Sequence, residues 1–390
     1  MPKKICFLCD SVLSIGGVQR VLAVIASAMS KEHEVTILSL QDDETCDKSI
    51  YELDKSDVNI QFLKLKQGHG LTEKLHRITS GLYKKALPHN RFTSNIYSHS
   101  SFPKALRNQF ISKLNEGNYD LVIGVHAGLS IKLATIRKQL NAKRVIGWMH
   151  NSYEALFEGT SAYLPGLASH FKYQMQKLDN WIVLCKADAA KYQTELGIMP
   201  TVIYNPLTLE PGTPSNHKSK TFLSIGRMSP LHKGFDILIK AFALFTQNNQ
   251  GWKLNIVGEG TEEPNLRQLI KENKLEGKIL IHPFTYSVQP YYSNATVYVL
   301  ASRWEGFGLV LIEAMSHHLP IISSELPVTK EILHPSYAQF FKSECIDDLA
   351  KQMEHIANKS AEELSLMGNS AAEESKKYSI TSIIQQWEKV

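Results

Sequence analysis

The feature of this sequence that most constrains its fold is a regular alternation of short apolar runs with helical segments. Near the start, "KKICFLCD" and "HEVTILSL" have the composition of strands and flank the helical stretch "VQRVLAVIASAMS". Further runs of the same kind follow: "DLVIGVH", "RVIGWMH", "NWIVLC" and "TVIYNP". Strands that are apolar along nearly their whole length and are joined by helices predict a parallel sheet covered on both faces.

A polar stretch at residues 208–220 interrupts this alternation, which then begins again. The strands "TFLSIGR", "WKLNIVGEG", "ILIHPF" and "TVYVLAS" and the helical segments between them predict a second open α/β sheet. We therefore expect an N-terminal domain at residues 1–207, a linker at 208–220, a C-terminal domain at 221–375, and a terminal helix at 376–390 that docks on one of the domains. Ligands of such sheets bind beyond the carboxyl ends of the strands, so functional residues are expected in post-strand loops facing a cleft between the domains.

Composition narrows the class of protein. The chain has 390 residues, and its formal net charge of +5 is too small to indicate nucleic-acid binding by itself. The five cysteines do not form a disulfide framework, which favours a reducing compartment. Cys6 and Cys9 form a C-x-x-C, but residues three apart in a strand face opposite sides. No apolar window reaches the roughly 18 residues of a membrane span, so we expect a cytoplasmic protein, soluble or peripheral on the inner face of the cell membrane.

The stretch "RWEGFGLVLIEAMSHHLP" carries the clearest signal of a binding site. Gly306 and Gly308 form a strand-to-helix turn that lets backbone approach a ligand, and the helix that follows offers free N–H groups to a phosphate. Glu305 and Glu313 would lie on the two sides of that phosphate, an order that matches a nucleotide-sugar with hydroxyls at both ends of its diphosphate. The alternative is that Glu305 favours the helix dipole and Glu313 is solvated. The apolar residues around Glu313 weaken this alternative, because a lone buried carboxylate is costly.

Two cations follow the first strand of the second domain in "IGRMSPLHKGFD". Arg227 comes directly after the strand, and Lys233 precedes Gly234 at a helix start. Either cation alone would more often be a surface residue, but two beside a helix N-terminus suit a diphosphate that gains charge as it leaves. The turn "VGEG" at residues 257–260 is a further post-strand glycine turn and is not a dinucleotide-binding G-x-G-x-x-G.

The segments "GRMSPLHKGFD", "VGEG", "ASRWEGFGLVLIEAM" and "LPII", in this order and spacing, resemble the retaining GT-B-fold glycosyltransferases of family 4, the group with the E-x7-E motif. The resemblance covers most of residues 220–335 and is looser in the first domain, where it rests on "SIGGVQRV" and histidines at strand ends. It implies a GT-B fold, in which two Rossmann-like, doubly wound parallel-sheet lobes face each other across a cleft. It also implies a retaining hexose or N-acetylhexosamine transfer without a metal or other cofactor.

The implied substrates are a nucleotide-sugar donor, with UDP as the expected carrier, and a glycan or lipid-linked oligosaccharide acceptor. Such a reaction belongs to the assembly of cell-envelope polysaccharide, such as lipopolysaccharide or capsule, or of a glycoconjugate. Two alternatives from other classes stay open at the level of the sequence. One is a catalytically silent GT-B partner subunit or chaperone of an active glycosyltransferase, and the other is a dinucleotide oxidoreductase, which the missing glycine fingerprint disfavours.

The resemblance also assigns roles to single residues of the second domain. Arg227 and Lys233 would grip the donor diphosphate. Glu305 would contact the hydroxyls of the donor sugar, and Glu313 would bind the ribose. The other implied donor-side positions are Gly16 and Gly17 in a first-domain glycine loop, Gly258, the base-binding segment Pro283, Phe284 and Thr285, and the backbone of Gly306, Phe307, Gly308 and Leu309.

Histidines end two strands of the first domain. His126 ends "DLVIGVH" and His150 ends "RVIGWMH". A single strand-end histidine is often only packed or capping, but two favour a role at the cleft. The resemblance places His126 near the transferred sugar, as a catalytic residue, and His150 with Asn151 on the acceptor side. Neither needs to be a general base, because the departing phosphate oxygen can take the acceptor proton in a front-face transfer.

The sequence departs from the family pattern at two places. His317 and His318 stand where the family often has a small residue and a glycine before Leu-Pro, so a local packing adjustment is expected. The segment "SSELPVTKEIL" lacks the usual glycine of that loop.

A basic insert at about residues 64–110 shows the strongest charge asymmetry of the chain. Nine Lys or Arg and one acidic residue, Glu73, lie between Lys64 and Arg107. The interleaved aromatic residues are Tyr83, Phe92, Tyr97 and Phe102. A solvated loop, an anionic membrane or lipid-diphosphate site, and nucleic acid are the alternatives. We favour the lipid interpretation, because the insert belongs to the acceptor-side domain and the chain has no nucleic-acid motif.

Overall fold

The computed structural model describes residues 1–41, 47–65, 78–79, 81–159, 162–211, 213–215, 217–230 and 232–390. These residues form two compact units. The first is Met1–Pro206 together with Ile380–Val390, and the second is Leu207–Ser379.

A seven-stranded parallel sheet forms the first unit, with the strand order β3-β2-β1-β4-β5-β6-β7. Its strands are β1 Lys4–Cys9, β2 Glu34–Ser39, β3 Asn59–Phe62, β4 Leu121–Val125, β5 Arg144–Trp148, β6 Asn180–Val183 and β7 Thr201–Val202. Its helices are α1 Gly17–Met29, α2 Arg91–Ser101, α3 Lys104–Glu116, α4 Ala127–Ile136, α5 Tyr153–Phe157, α6 Ala168–Met175, α7 Lys186–Leu196 and, at the end of the chain, α15 Ile380–Trp387. Every residue of β4 is buried, as expected for a central strand covered on both faces.

A six-stranded parallel sheet forms the second unit, with the order β10-β9-β8-β11-β12-β13. Its strands are β8 Thr221–Ile225, β9 Lys253–Val257, β10 Ile279–His282, β11 Val297–Leu300, β12 Ile321–Ser324 and β13 Ala338–Phe341. Its helices are α8 Phe235–Asn248, α9 Glu263–Glu272, α10 Gln289–Ser293, α11 Leu309–Ser316, α12 Pro327–Ile332, α13 Ile346–Ala357 and α14 Ala361–Ser375. Short 3-10 helices occur at Ile50–Lys55, Arg137–Gln139 and Lys376–Tyr378. The two parallel sheets predicted from the sequence are thus both present.

Strand β3 is an element that the sequence pattern did not reveal. It pairs in parallel with β2, with Asn59 opposite Thr36. None of its four residues is buried, because it lies at the edge of the sheet. An edge strand of this kind lacks the continuous apolar run by which the central strands are recognised.

Residues 208–220, the predicted linker, form part of the second unit. Ser215 and His217 are buried there. The Ser215 hydroxyl donates to the carbonyl oxygen of Ala295, and His217 Nδ1 lies 3.3 Å from the carbonyl oxygen of Thr296. The polar composition of this stretch therefore reflects hydrogen bonds to the turn before β11.

The terminal helix α15 docks on the first unit. Trp387 is 1% exposed, and its ring centroid lies 4.9 Å from that of Trp148 and 6.3 Å from that of Phe7. The next residue, Glu388, accepts a 2.8 Å hydrogen bond from His33 Nε2. Trp387 is thus buried against strands β1 and β5 of the first sheet, and Ile383 of the same helix is buried as well.

Candidate active site

Each sheet reverses its strand order at one point, where open α/β sheets leave a crevice for a ligand. In the second unit the reversal lies between β8 and β11, which lead into residues 226–234 and 301–308. The first of these loops carries Arg227 and Lys233, and the second carries Glu305. The predicted donor-side residues therefore lie in the two loops that flank this crevice.

The Lys233 ammonium and the Glu305 carboxylate form an ion pair here, with 2.6 Å between Nζ and Oε1. The exposed fractions of the two side chains are only 14% and 7%. The Ser302 hydroxyl donates a 2.7 Å hydrogen bond to the same oxygen. Burial acts to raise the pKa of Glu305, but the charge and hydrogen bond of Lys233, together with His232 and the Ser302 hydroxyl, outweigh it. The pKa is therefore lowered, and the carboxylate is ionised at neutral pH. The sequence pointed to both residues and gave no sign that they pair with each other.

Backbone hydrogen bonds and a ring contact hold the loop after β8 and the loop after β11 together beside this ion pair. The backbone N–H of Arg303 donates to the carbonyl oxygen of His232 at 2.9 Å. In return, His232 Nε2 donates to the carbonyl oxygen of Trp304 at 3.1 Å, which fixes the tautomer. The two rings stack, with centroids 4.8 Å apart and 12° between their planes. Burial, with a smaller contribution from the charge of Lys233, lowers the pKa of His232. The ring is therefore neutral at neutral pH.

Arg303 anchors the second loop by hydrogen bonds, a role that was not predicted from the sequence. Its two terminal nitrogens donate to the carboxylate of Asp236, on α8, at 3.0 and 2.9 Å, and Nε donates to Glu344 at 2.7 Å. Burial acts to raise the pKa of Asp236. The hydrogen bonds and the charge of Arg303, with smaller contributions from backbone N–H groups, more than offset burial, so the pKa of Asp236 is lowered. The only signal in the sequence was a cation next to the glycine turn, because both of its partners are distant in the chain.

Two glycines allow the loop after β8 to approach its neighbours closely. Gly234 has φ +61°, and a Cβ at this position would lie 2.0 Å from the carbonyl oxygen of Ala301, in the loop after β11. Gly258, in the loop after β9, has φ +149°, and a Cβ there would lie 2.0 Å from the carbonyl oxygen of Gly226. A side chain at either position would push the loop after β8 away from that neighbour.

Helix α11 begins behind the glycine turn of the second loop. Its N-cap is Gly308, with φ 88°, so no cap side chain competes with a ligand for the first N–H groups of the helix. Phe307 is 3% exposed, and its ring packs against Tyr378 at 5.7 Å. The contact surface of this turn is therefore backbone, including Gly306 and the half-buried Leu309.

Glu313 is buried, with 1% exposure, so the alternative of a solvated helix residue is wrong. Its Oε2 accepts a 2.8 Å hydrogen bond from the Tyr292 hydroxyl. A phenol satisfies a lone pair of the carboxylate and does not neutralise its charge. The ribose contact implied for Glu313 stays a prediction, and the structure adds Tyr292 as the residue that orients its carboxylate.

The two histidines before Leu319 occupy different environments. His317 is fully buried, with its ring stacked on Tyr292 at 4.8 Å and Nδ1 donating to the carbonyl oxygen of Glu313 at 2.7 Å. His318 has φ +59°, the left-handed backbone that favours glycine, and its Nδ1 lies 2.9 Å from Asn369 Oδ1. The side-chain hydrogen bond to Asn369 is the local adjustment that holds a non-glycine residue in this conformation.

Arg227 and the predicted base-binding segment lie in loops that follow β8 and β10. Arg227 is exposed, and it is near enough to His232 for its charge to contribute to the lowered pKa of that ring. Pro283 is exposed at the end of β10, and Phe284 packs edge-on against Tyr286 at 5.0 Å. Thr285 Oγ1 accepts the backbone N–H of Ser287 at 3.1 Å. These side chains form an aromatic and hydroxyl-bearing surface.

In the first unit the strand order reverses between β1 and β4, and a second acid–base pair lies there. Asp10 follows β1 and His126 follows β4, with 2.7 Å between Oδ2 and Nε2. This hydrogen bond lowers the pKa of Asp10. His126 has φ +65°, and its backbone N–H donates to the carbonyl oxygen of Trp148 at 2.7 Å. Sequence analysis identified His126 and missed Asp10, although a carboxylate directly after a buried strand was a usable signal.

His150 is buried next to this pair, with 8% exposure and its ring 4.2 Å from that of Trp148. Burial, with a smaller contribution from His126, lowers its pKa to about 3, so the ring is neutral. Its Nε2 has no hydrogen-bond partner in the described part of the chain. The neighbouring Asn151 is half-buried.

The predicted glycine loop of the first unit precedes α1. Gly16 is the N-cap of this helix, and Gly17 is its first residue. The Gly16 backbone N–H donates to the Tyr51 hydroxyl at 3.0 Å, and that hydroxyl lies 3.3 Å from the carbonyl oxygen of Ser14. Tyr51 thus shapes the loop, which the sequence did not indicate.

The described residues contain no group of three or more His, Cys, Asp or Glu side chains placed to hold a metal ion. Cys6 and Cys9 are buried free thiols, and burial raises the pKa of Cys6 to about 12. None of the helices in the described ranges has both the length and the apolar composition that a membrane span needs. Residues 66–77 and 80 of the basic insert lie outside the described residues.

Comparison with known proteins decides the family. The model for Glycosyltransferase Family 4 matches residues 15–210, about half of the chain, and the model for glycosyl transferases group 1 matches residues 208–374. The chain is a family 4 glycosyltransferase. An uncharacterized glycosyltransferase of Haemophilus influenzae is 27% identical over 99% of both chains. Membership in this family rules out the oxidoreductase alternative.

Two further relatives match part of this glycosyltransferase. The poly(ribitol-phosphate) alpha-N-acetylglucosaminyltransferase of Staphylococcus aureus is 23% identical over 62% of this chain and 49% of its own length. The lipopolysaccharide 1,6-galactosyltransferase of Salmonella typhimurium is 25% identical over 40% of this chain and 45% of its own.

Solved structures establish that the fold of this glycosyltransferase is GT-B. S. aureus TarM superposes with a TM-score of 0.78 at 16% identity, covering 99% of this chain and 98% of TarM. Anabaena HepE in complex with UDP and glucose gives a TM-score of 0.76 at 18% identity, with the same coverage. At these identities the likeness concerns the fold alone.

Proposed function

We propose that this protein is a retaining glycosyltransferase that moves a hexose or N-acetylhexosamine from a UDP-sugar to a glycan or lipid-linked oligosaccharide in cell-envelope polysaccharide biosynthesis. The observation that carries the proposal is the buried Lys233–Glu305 pair at the strand reversal of the second unit. It places an ammonium and a carboxylate side by side, as recognition of a sugar diphosphate requires.

The proposed role of the second unit is to hold the donor and to stabilise its departing diphosphate. Lys233 and the exposed Arg227 supply positive charge, and the N-terminus of α11 supplies N–H groups. Lys233 and Ser302 both donate to Oε1 of Glu305, so within the described residues Oε2 is left for the hydroxyls of the sugar. Catalysis here is positioning together with charge stabilisation.

The proposed role of the first unit is to orient the transferred sugar through His126. Asp10 accepts a hydrogen bond from His126 Nε2, which fixes the ring, while the acceptor proton goes to the departing phosphate oxygen. We further propose that the reaction needs no metal ion. The relatives named above support the substrate class: HepE is solved with UDP and glucose, and two partial relatives act on poly(ribitol-phosphate) and lipopolysaccharide.

A thermal-shift screen of UDP-, GDP- and ADP-sugars, with and without EDTA, tests the donor. We expect the largest rise in melting temperature with a UDP-sugar, because ligand binding to the folded state raises stability by mass action. Hydrolysis of that sugar is then followed by NMR, which reports the anomeric configuration released first. A shift without any hydrolysis or transfer would favour the silent partner subunit, and release of the inverted anomer would contradict a retaining mechanism.

A further inference from the structure

Helix α2, in the first unit, has its polarity reversed relative to an ordinary surface helix. Its buried face carries Thr93, Ser94 and Ser98, with exposed fractions of 7%, 0% and 1%. Its solvent face carries Phe92, 73% exposed, and Ile96, 45% exposed. A surface helix normally turns its apolar residues toward the core. Here the hydroxyl groups are inside, and the large apolar side chains are outside.

Hydrogen bonds fix this orientation. Ser94 Oγ lies 2.9 Å from His170 Nδ1 and accepts a 3.0 Å hydrogen bond from Gln174 Nε2, both on α6. At the start of the helix, the Asn90 side chain accepts the backbone N–H of Thr93 at 3.0 Å in a capping box. Rotating α2 to bury Phe92 would remove Ser94 as the hydrogen-bond partner of the buried His170 and Gln174 side chains, and leaving buried polar groups without a partner is costly. The exposure of the apolar face is therefore built into the fold.

The preceding helical residues 81–85 extend the same kind of surface. Tyr83 is 1% exposed, and its ring stacks on that of Tyr97, with centroids 5.0 Å apart. This contact ties the segment to α2 and leaves Leu82 48% exposed, with Lys84 and Lys85 also exposed. We call Leu82, Lys84, Lys85, Arg91, Phe92 and Ile96 the basic apolar face.

The charge around this face has one sign. No Asp or Glu occurs between Lys74 and Asn115. The exposed cations Lys84, Lys85 and Arg91 alternate along the chain with the exposed apolar side chains. A partner that is negatively charged at its surface and apolar just beneath it satisfies both properties, and that describes an anionic lipid bilayer. Single-stranded nucleic acid would instead need several aromatic rings that stand free for base stacking. Tyr83, Tyr97 and Phe102 are buried, so Phe92 is the single exposed aromatic ring among the described residues of the insert.

We propose that the basic apolar face docks the first unit onto an anionic membrane surface, with Phe92 and Ile96 inserted among the lipid chains. The proposal rests on the proposed function, since a lipid-linked acceptor is presented at such a surface. Docking by this face keeps the enzyme beside its acceptor without a membrane-spanning segment.

Vesicle sedimentation of the full-length protein tests the proposal. Wild-type protein is expected to bind vesicles of phosphatidylglycerol and phosphatidylcholine, and to bind pure phosphatidylcholine vesicles weakly. The Phe92→Ser/Ile96→Ser variant is expected to bind the anionic vesicles roughly ten-fold more weakly, because the inserted apolar area is lost. The matched control, Leu280→Ser/Leu366→Ser, removes side chains that are 40% and 68% exposed in the second unit and should bind like wild type.

A charge variant provides a second measurement. Lys84→Ser/Lys85→Ser is expected to bind roughly 30-fold more weakly at low salt, whereas Lys271→Ser/Lys278→Ser, also at exposed positions, should not differ from wild type. Unchanged melting temperatures show that the variants fold. Equal binding to both kinds of vesicle, or loss of binding in the control variants as much as in the test variants, would overturn the proposal, as would binding of RNA without binding of vesicles.

The membrane-docking proposal and the proposed function can be refuted independently of each other. Vesicle binding is measured without any sugar nucleotide, and donor hydrolysis is measured without vesicles. Hydrolysis without vesicle binding would refute the docking face and leave the transferase intact. Vesicle binding without hydrolysis or donor binding would refute the proposed function.

Discussion

At the scale of single residues, the second unit depends on a buried ion pair. Lys233 and Glu305 stabilise each other there, with side chains that are only 14% and 7% exposed, whereas Asp10, the partner of His126 in the first unit, is exposed. Removing one partner from the buried pair leaves the other charge uncompensated, which is more damaging than the loss of a surface salt bridge. Substitutions at these positions should therefore affect both function and folding, and the two effects have to be measured separately.

Replacing Lys233 or Arg227 by alanine should lower kcat/KM by an amount equivalent to roughly 2–4 kcal/mol, because the proposed role of each cation is to stabilise the departing diphosphate. Steady-state kinetics with saturating acceptor measures the effect. Lys240→Ala, an exposed lysine on α8, serves as the control and should leave kcat/KM unchanged. Wild-type kinetics in both site variants would falsify their assigned role.

Buried neutral histidines should make the first unit sensitive to acid. Burial lowers the pKa of His150 and of His170 to about 3 from an ordinary value of 6.5. The unfolded chain then binds more protons than the folded one between these values, so stability is complete above pH 6.5 and declines as the pH falls. Each histidine should remove about 2 kcal/mol of unfolding free energy between pH 7 and pH 5.

Urea titrations at pH 7 and pH 5 measure this decline. His170→Gln should reduce the difference between the two pH values by about 2 kcal/mol, whatever its absolute stability. His99→Gln, at an exposed position, should leave the difference as in wild type. An unchanged pH dependence in His170→Gln would show that His170 does not carry this effect.

At the scale of elements, the site depends on the close approach of loops that leave neighbouring strands. Gly234 and Gly258 bring the loop after β8 against the loops after β11 and β9, respectively. Two further contacts hold the loops in place. The rings of His232 and Trp304 stack on each other, and Arg303 donates two hydrogen bonds to Asp236. The strands only bring these loops to one edge, and the contacts between the loops set the distance between functional groups.

Gly234→Ala should destabilise the second unit by roughly 3 kcal/mol or more, because it combines a strained φ with a clash against the carbonyl oxygen of Ala301. Gly251→Ala separates the two causes, since Gly251 has φ +82° and open space around its Cβ position. That control should cost only about 1 kcal/mol. Urea unfolding measures both values, and equal losses would argue against the loop contact.

At the scale of the whole molecule, the first unit is assembled from both ends of the chain. Its sheet is complete before residue 206, yet its surface is closed by Ile380–Val390. Trp387 covers Trp148 on β5 and Phe7 on β1, the strands that flank β4. The stability of the first unit therefore depends in part on Ile380–Val390, which are distant in the chain from the strands that they cover.

Trp387→Ala should destabilise the first unit by about 3–5 kcal/mol, because it leaves a cavity against two aromatic side chains. Tyr163→Ala, which removes a side chain that is 67% exposed in the same unit, should change stability by less than about 0.5 kcal/mol. Equilibrium unfolding of the two variants provides the comparison. A loss confined to the second unit would contradict the docking of α15 on the first.

Both parallel sheets, most of the helices between their strands, and the loops that carry Lys233, Glu305 and His126 could be predicted from the amino-acid sequence. These features follow from local signals, since apolar runs, helical spacing and glycine turns are readable within a few residues. The edge strands β3 and β13 were not predicted, because neither is buried along its whole length. The partner of each polar group could not be predicted either and is set by tertiary packing: Lys233 meets Glu305, Arg303 meets Asp236, and Glu313 meets Tyr292. Such pairs join residues far apart in the chain, and their formation depends on where the packed elements bring the loops together.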